Sequence, residues 1–211
     1  MSTLVVFVRV PERGRCKTRL AATLGDDAAL RLYEGFLDDT LAVAAAAAAT
    51  ANAELVIAVA GEGQRWTRGP FVPQPSGDLG ERMSALVDTY VARGPVCIVG
   101  SDAPTLAPAQ IARAFTLLEK HEVVLGPGVD GGYWLLGARR SIPELLTAMP
   151  WSTPGVLQET LARLRGRSVA LADFWYDVDE AADLALLRAH LGVLPGEVAP
   201  ATRRALAVLG G

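Results

Sequence analysis

The chain has 211 residues, 51% of them hydrophobic and 20% charged, with a formal net charge of −3 at pH 7. That length suits one domain with a full core, and the slightly acidic balance offers no basic footprint for nucleic acid. Two cysteines, Cys16 and Cys97, make neither a disulfide framework nor a metal-ligand pair. The longest apolar block, Leu41 to Ala49, is too short for a membrane span. A soluble, cytoplasmic protein without a stable membrane anchor is expected.

Leu4 to Val8 is a continuous β-branched and aromatic run, the pattern of a central strand covered on both faces. The loop after it carries five cations between Arg9 and Arg19, with Gly14 among them. It reads either as a phosphate cradle or as a solvated basic surface; it is neither a Walker A loop nor a dinucleotide fingerprint. In this exposed setting, Lys17 is expected to act on phosphates and to weigh little in folding.

Asp26 or Asp27 is a candidate cap for a helix continuing through Leu30, Phe36, Leu37, Leu41 and Val43 into the Ala-rich block. Glu54 to Ala60 is the second strand, and a Gly- and Pro-rich loop fills Gly61 to Pro75. The β-α-β order predicts a parallel crossover. Asp78 is an N-cap candidate for a helix to about Val91, while Gly77 and Gly80 allow backbone to approach a ligand.

Pro95 to Gly100 brackets a buried strand that stops at Ser101-Asp102-Ala103-Pro104, and helical spacing resumes from Ala109 to Leu118. Asp102 thus stands at a strand's carboxyl end, where open parallel sheets bind ligands; the competing reading is an Asx turn. Two further apolar runs flank Gly126 to Gly132, a loop with four glycines and Asp130. It suits close approach of a ligand or, alternatively, a hairpin turning at Asp130-Gly131. Short helices are expected over Ile142 to Met149 and Val156 to Leu164, with Trp151 as core or stacking platform in the loop between. Ser168 to Ala172 is the last strand.

Asp177 and Asp179 flank one residue, so in an extended segment both carboxylates face one side; Asp179 is also a candidate N-cap for the helix to His190. His121 and His190 close predicted helices and are read as dipole partners without a catalytic role. Residues 195 to 211 read as a short amphipathic appendage with a frayed end, so the main domain is expected over 1–192 and the appendage over 193–211. No G-x-S-x-G, H-E-x-x-H or Cys-x-x-Cys is present, which argues against serine hydrolase, zincin and zinc-ribbon chemistry.

Lys17-Thr18-Arg19-Leu20, Gly100 to Pro104, Gly126-Pro127 with Asp130 to Tyr133, and Asp177-Val178-Asp179 with Asp183-Leu184 together resemble a small bacterial GT-A-fold family. That family includes the arsenosugar-biosynthesis-type glycosyltransferases. The pattern is also similar to the phospholactate and phosphoenolpyruvate guanylyltransferases and, more distantly, to the molybdopterin guanylyltransferases. The Asp130 loop has no obvious counterpart in the guanylyltransferases, which pulls the chain towards the glycosyltransferase branch.

The resemblance implies an α/β fold of GT-A, nucleotide-diphospho-sugar transferase type: a Rossmann-like three-layer sandwich on a mostly parallel mixed sheet. It implies that Arg9, Lys17, Arg19, Asp78, Arg82 and Ser101 bind nucleotide and phosphates, and that Asp102, Asp177 and Asp179 hold Mg²⁺ or Mn²⁺. Asp102, Asp130 and Lys17 would be catalytic, with Gly131, Gly132, Tyr133, Trp151 and Ser152 on the acceptor side. Three functions compete: glycosyl transfer from a nucleotide-sugar donor to a small-molecule acceptor, nucleotidyl transfer from an NTP with release of pyrophosphate, and nucleotide binding without catalysis. A hydroxyl acceptor needs a base and a phosphate does not, so the Asp130 loop favours glycosyl transfer.

Overall fold

The computed structural model describes residues 1–209, except for the side chain of residue 64. The first half of the chain forms β1 (Ser2–Arg9), α1 (Thr18–Leu24), α2 (Asp26–Thr50), β2 (Ala53–Ala60), β3 (Val72–Pro73), α3 (Leu79–Tyr90) and β4 (Val96–Val99). The second half forms α4 (Pro108–Leu118), β5 (Val123–Pro127), β6 (Tyr133–Ala138), α5 (Pro143–Leu146), α6 (Val156–Arg163), β7 (Val169–Leu171), α7 (Ala181–Val193) and α8 (Pro200–Leu209).

The seven strands make one sheet in the order β3-β2-β1-β4-β6-β5-β7, and β6 alone runs antiparallel to its neighbours. This is the α/β architecture that the resemblance implies. Alternate residues of β1 explain its unbroken apolar run: Leu4, Val6 and Val8 pack towards α2 and α4, whereas Val5 packs with Ile98, Leu125 and Leu136 towards α3, α5 and α6. Because β1 leads to β2 on one side and β4 leads to the β5–β6 hairpin on the other, the loops after β1 and β4 diverge. They open a crevice at the sheet's carboxyl edge, the usual ligand site of such folds.

Several boundaries differ from expectation. Helix α1 starts inside the cationic loop, and the two-residue β3 lies within the stretch expected as a loop. Gly25 is the residue preceding α2, so Asp26 and Asp27 sit in its first turn and favour the helix dipole without capping it. Helix α7 is preceded by Glu180, which forms a capping box with Asp183 and leaves the Asp179 carboxylate free for other partners. The Gly126–Gly132 stretch does close a β5–β6 hairpin. Cys16 and Cys97 are buried and free, and among the described residues no helix is long and apolar enough to cross a membrane.

The C-terminal segment packs against the body of the fold. Leu20, Leu32, Phe36, Leu187 and Ala205 form a third cluster joining α1, α2, α7 and α8. The start of α8 lies on Gly35 of α2, where an added Cβ would stand 3.1 Å from the Ala201 carbonyl oxygen. Buried Asp39 of α2 accepts hydrogen bonds from the Ala201 and Thr202 amides at 3.0 and 2.7 Å, satisfying two of the donors that a helix start leaves open. The end of the appendage expected to fray, residues 210–211, lies outside the described residues. Asp39→Ala strands both amides and should cost about 2 kcal/mol. Urea unfolding should show that loss, together with faster proteolysis within α8; unchanged stability would show that the carboxylate does not hold the helix.

Candidate active site

Lys17 sits at the centre of the carboxyl edge. It precedes α1 with a left-handed backbone (φ 49°), and its side chain is only 4% exposed. The ammonium lies 2.6 Å from Asp102 Oδ1 and 2.7 Å from Asp179 Oδ1, carboxylates that follow β4 and β7. Its burial corrects the expectation of an exposed lysine without weight in folding. Burial alone would lower its pKa, but Asp102 and then Asp179 outweigh that, and the ammonium is held above its ordinary value.

The backbone fixes the same meeting point, since the Val178 amide donates to the Asp102 carbonyl at 2.8 Å. Arg19 reaches the other Asp179 oxygen at 2.7 Å and Glu180 at 2.8 Å. Burial pushes the Asp179 pKa up, but pairing with Lys17 and Arg19 brings it below the ordinary carboxylate value. Asp177, recessed beside them, goes the other way: burial, then Asp102, push it up to about 7, with Asp130 and Asp179 adding and Lys17 opposing.

Two cavities meet here. The first, about 650 Å³, is lined by Arg9, Arg15, Lys17, Arg19, Arg82, Ser101 and Asp102. The second, about 670 Å³, is lined by Asp130, Gly132, Tyr133, Trp151, Asp177 and a set of apolar side chains. Ser152 and Asp179 border both. Ser152 has a left-handed backbone (φ 63°), a conformation that a non-glycine residue keeps only where its surroundings enforce it.

Asp78 and Gly131 border neither cavity. Asp78 caps α3, accepting from the Glu81 amide at 2.9 Å while the Glu81 carboxylate accepts from the Asp78 amide at 2.7 Å. Gly131 (φ 86°) abuts the Pro154 carbonyl, and its own carbonyl accepts from the Leu157 amide at 2.9 Å, docking the hairpin loop on α6. The Asp130 carboxylate is steadied by the Gly132 amide at 2.9 Å.

Sequence reading missed Tyr33 and Gln74. Tyr33 Oη accepts from the Arg9 amide at 2.9 Å and lies 3.4 Å from Ser101 Oγ, bracing the first loop against the Asp102 turn. Gln74 donates both side-chain hydrogens, to the Val8 and Ala58 carbonyls, and closes the far end of the first cavity. An isolated tyrosine in a helix and a glutamine in a loop carry no spacing signal. His190 bonds Tyr176 Oη at 2.8 Å and borders neither cavity.

The acidic set can be tested for a divalent cation. Asp102 Oδ1 and Asp179 Oδ1 converge on one point, now filled by the Lys17 ammonium, and two hard carboxylates together with substrate phosphates are the usual Mg²⁺ environment. The donor chemistry therefore fits Mg²⁺ or Mn²⁺ once Lys17 turns away. Among the described residues, no three acidic, histidine or cysteine side chains are already gathered as a metal cluster.

A family model describing uncharacterized proteins conserved in bacteria, DUF2064, matches residues 34–153, more than half of the chain. The chain belongs to DUF2064. The matched part of this DUF2064 member includes Asp102, Asp130 and Trp151, whereas Lys17 and Asp179 lie outside it. The DUF2064 chain is similar to a Desulfovibrio desulfuricans G20 protein provisionally assigned as a nucleotide-diphospho-sugar transferase. The two are 27% identical with a TM-score of 0.86, over 99% of this chain and 96% of that one.

A cytidylyltransferase from Leptospira borgpetersenii serovar Hardjo-bovis (strain JB197) is 13% identical, with a TM-score of 0.56 over 99% of this chain and 93% of its own. A CMP:2-keto-3-deoxy-manno-octonic acid synthetase solved with CTP is also 13% identical, with a TM-score of 0.50 over 90% and 98%. These two likenesses are of fold alone. No curated protein matches the chain. The DUF2064 fold is that of nucleotide-dependent transferases.

The Asp177 environment sets a pH signature. Its folded carboxyl keeps a proton to about pH 7, against 3.8 for the ordinary group, so the folded state binds that proton more tightly. The group's contribution to stability is therefore full below about pH 4 and is lost as pH rises towards 7. In metal-free buffer, the advantage of Asp177→Asn over wild type should grow across that window and then level off. Urea unfolding at a series of pH values checks this, and a pH-independent difference would contradict it.

Proposed function

We propose that the chain is a nucleotide-dependent transferase that moves a glycosyl group from a nucleotide-sugar donor to the hydroxyl of a small acceptor, with Mg²⁺ or Mn²⁺. One observation carries the choice of reaction. The cation-rich cavity suits a diphosphate, whereas the adjoining cavity is lined by Asp130, Asp177 and Asp179, and its single cation, Arg19, is already paired with Asp179 and Glu180. An acceptor phosphate, as in nucleotidyl transfer, would meet carboxylates without a free counter-charge. A neutral hydroxyl meets a base.

In this reading Arg9, Arg15, Lys17 and Arg82 neutralise the donor diphosphate, and Ser101 offers it a hydroxyl. Lys17 leaves its carboxylates for the phosphates when donor binds. Asp102 and Asp179 would hold the divalent cation, which when bound supplies Lewis-acid stabilisation of the charge growing on the departing diphosphate. Asp130, oriented by the Gly132 amide, takes the acceptor's hydroxyl proton as its oxygen bonds the sugar's anomeric carbon. The bond from that carbon to the diphosphate oxygen breaks, and nucleoside diphosphate leaves with the electron pair. Tyr133, Trp151 and Ser152 border the acceptor.

Phosphorus NMR of reactions containing Mg²⁺ and panels of nucleotide sugars or NTPs tests this reading. The expected product is nucleoside diphosphate, and Asp130→Asn should lower kcat by about 10²-fold or more while leaving donor affinity near wild type. Pyrophosphate from an NTP, or an undiminished Asp130→Asn enzyme, would contradict it.

A further inference from the structure

The acidic cavity has an apolar body that the proton-transfer step does not use. Its floor spans three neighbouring strands, with Phe7 of β1, Ile98 of β4 and Leu136 of β6 bordering the same space; Ile98 and Leu136 are direct register partners. Its roof is Met83 and Leu79 of α3, with Trp151 beside them. Gly80 leaves room for Trp151, since an added Cβ there would lie 3.0 Å from the indole. Leu79 opens α3 and is 44% exposed at the mouth, a helix-start position where a polar residue would ordinarily suffice. The charged side chains on its border are the acids Asp130, Asp177 and Asp179 and the paired Arg19.

We propose that the acceptor is an amphiphile: an apolar body of bicyclic size that lies between the sheet and α3, carrying a neutral hydroxyl that reaches Asp130. This rests on the reading of the cavity as the acceptor side. The volume of about 670 Å³ leaves room for a molecule of that class beside the reacting sugar, and burial of an apolar body against apolar side chains is favourable without any counter-ion. A sugar acceptor would leave hydroxyls facing Ile98, Leu136 and Met83 without partners. A phosphorylated acceptor would bring a second anion to the Asp130 and Asp179 carboxylates.

Calorimetry on the full chain with three probes, 2-naphthylmethanol, 2-naphthylmethyl phosphate and methyl α-glucoside, separates these classes. The alcohol should bind at least 10-fold more tightly than its phosphate ester or the glucoside, and Met83→Gln should weaken it at least 5-fold. Val156→Thr, at another wall of the cavity, serves if Met83→Gln does not fold. Equal or tighter binding of the phosphate or the glucoside, no binding of the alcohol, or alcohol binding indifferent to the wall variant would overturn the proposal. Titration of nucleoside diphosphates with Mn²⁺ on the same samples reports separately on the donor site. Its failure would remove the transferase reading while leaving the selectivity of the apolar cavity as measured.

Discussion

The Lys17 ammonium between Asp102 and Asp179 is the contact on which the carboxyl edge of this sheet depends. One buried cation joins the loop after β1, the turn after β4 and the segment before α7, which are separated by 85 and 77 residues in sequence. Both carboxylates remain about one-third exposed, so water moderates the pairing energy, whereas the lysine has almost no alternative solvation. The three segments therefore gain more from meeting than an exposed ion pair would give. Left-handed backbone at Lys17 and the Val178 amide on the Asp102 carbonyl hold the geometry from the main chain.

That arrangement also partitions charge. Arg9, Arg15, Arg82 and Lys17 face one cavity together with Asp102; Asp130 and Asp177 face the other, and Arg19, Asp179 and Ser152 stand at the boundary. A polyanionic donor and an uncharged acceptor would each meet a complementary wall, with their reacting atoms at the boundary. Burial first, and then the neighbouring acids led by Asp102, raise the Asp177 pKa. Because the DUF2064 match spans residues 34–153, the site combines Asp102 and Asp130 from the matched segment with Lys17 and Asp179 from outside it.

What the sequence made legible was local. Leu4 to Val8 and Val96 to Val99 are strands because β-branched runs bounded by loop residues satisfy a doubly covered sheet, and Asp102 follows from where the second run stops. The Asp78 cap was equally legible, and in the structure Glu81 completes its capping box. Lys17 was misread because burial by partners far along the chain leaves no trace in a run of loop cations. Of the two readings open for Asp179, the cap fails because Glu180 offers the same chemistry one residue later, and Lys17 and Arg19 take the Asp179 carboxylate instead. The apolar half of the second cavity was invisible for a different reason: Ile98, Leu136 and Met83 read as ordinary core, and only their shared border with an opening distinguishes them.

A double-mutant cycle in urea tests the central contact most directly, using Lys17→Met, Asp102→Asn and the two together in metal-free buffer. If one ammonium organises the edge, the double variant should lose less stability than the sum of the single losses, with a coupling of about 1 kcal/mol or more. Single-variant losses that add within about 0.3 kcal/mol would contradict the account, because the two side chains would then be folding independently of one another.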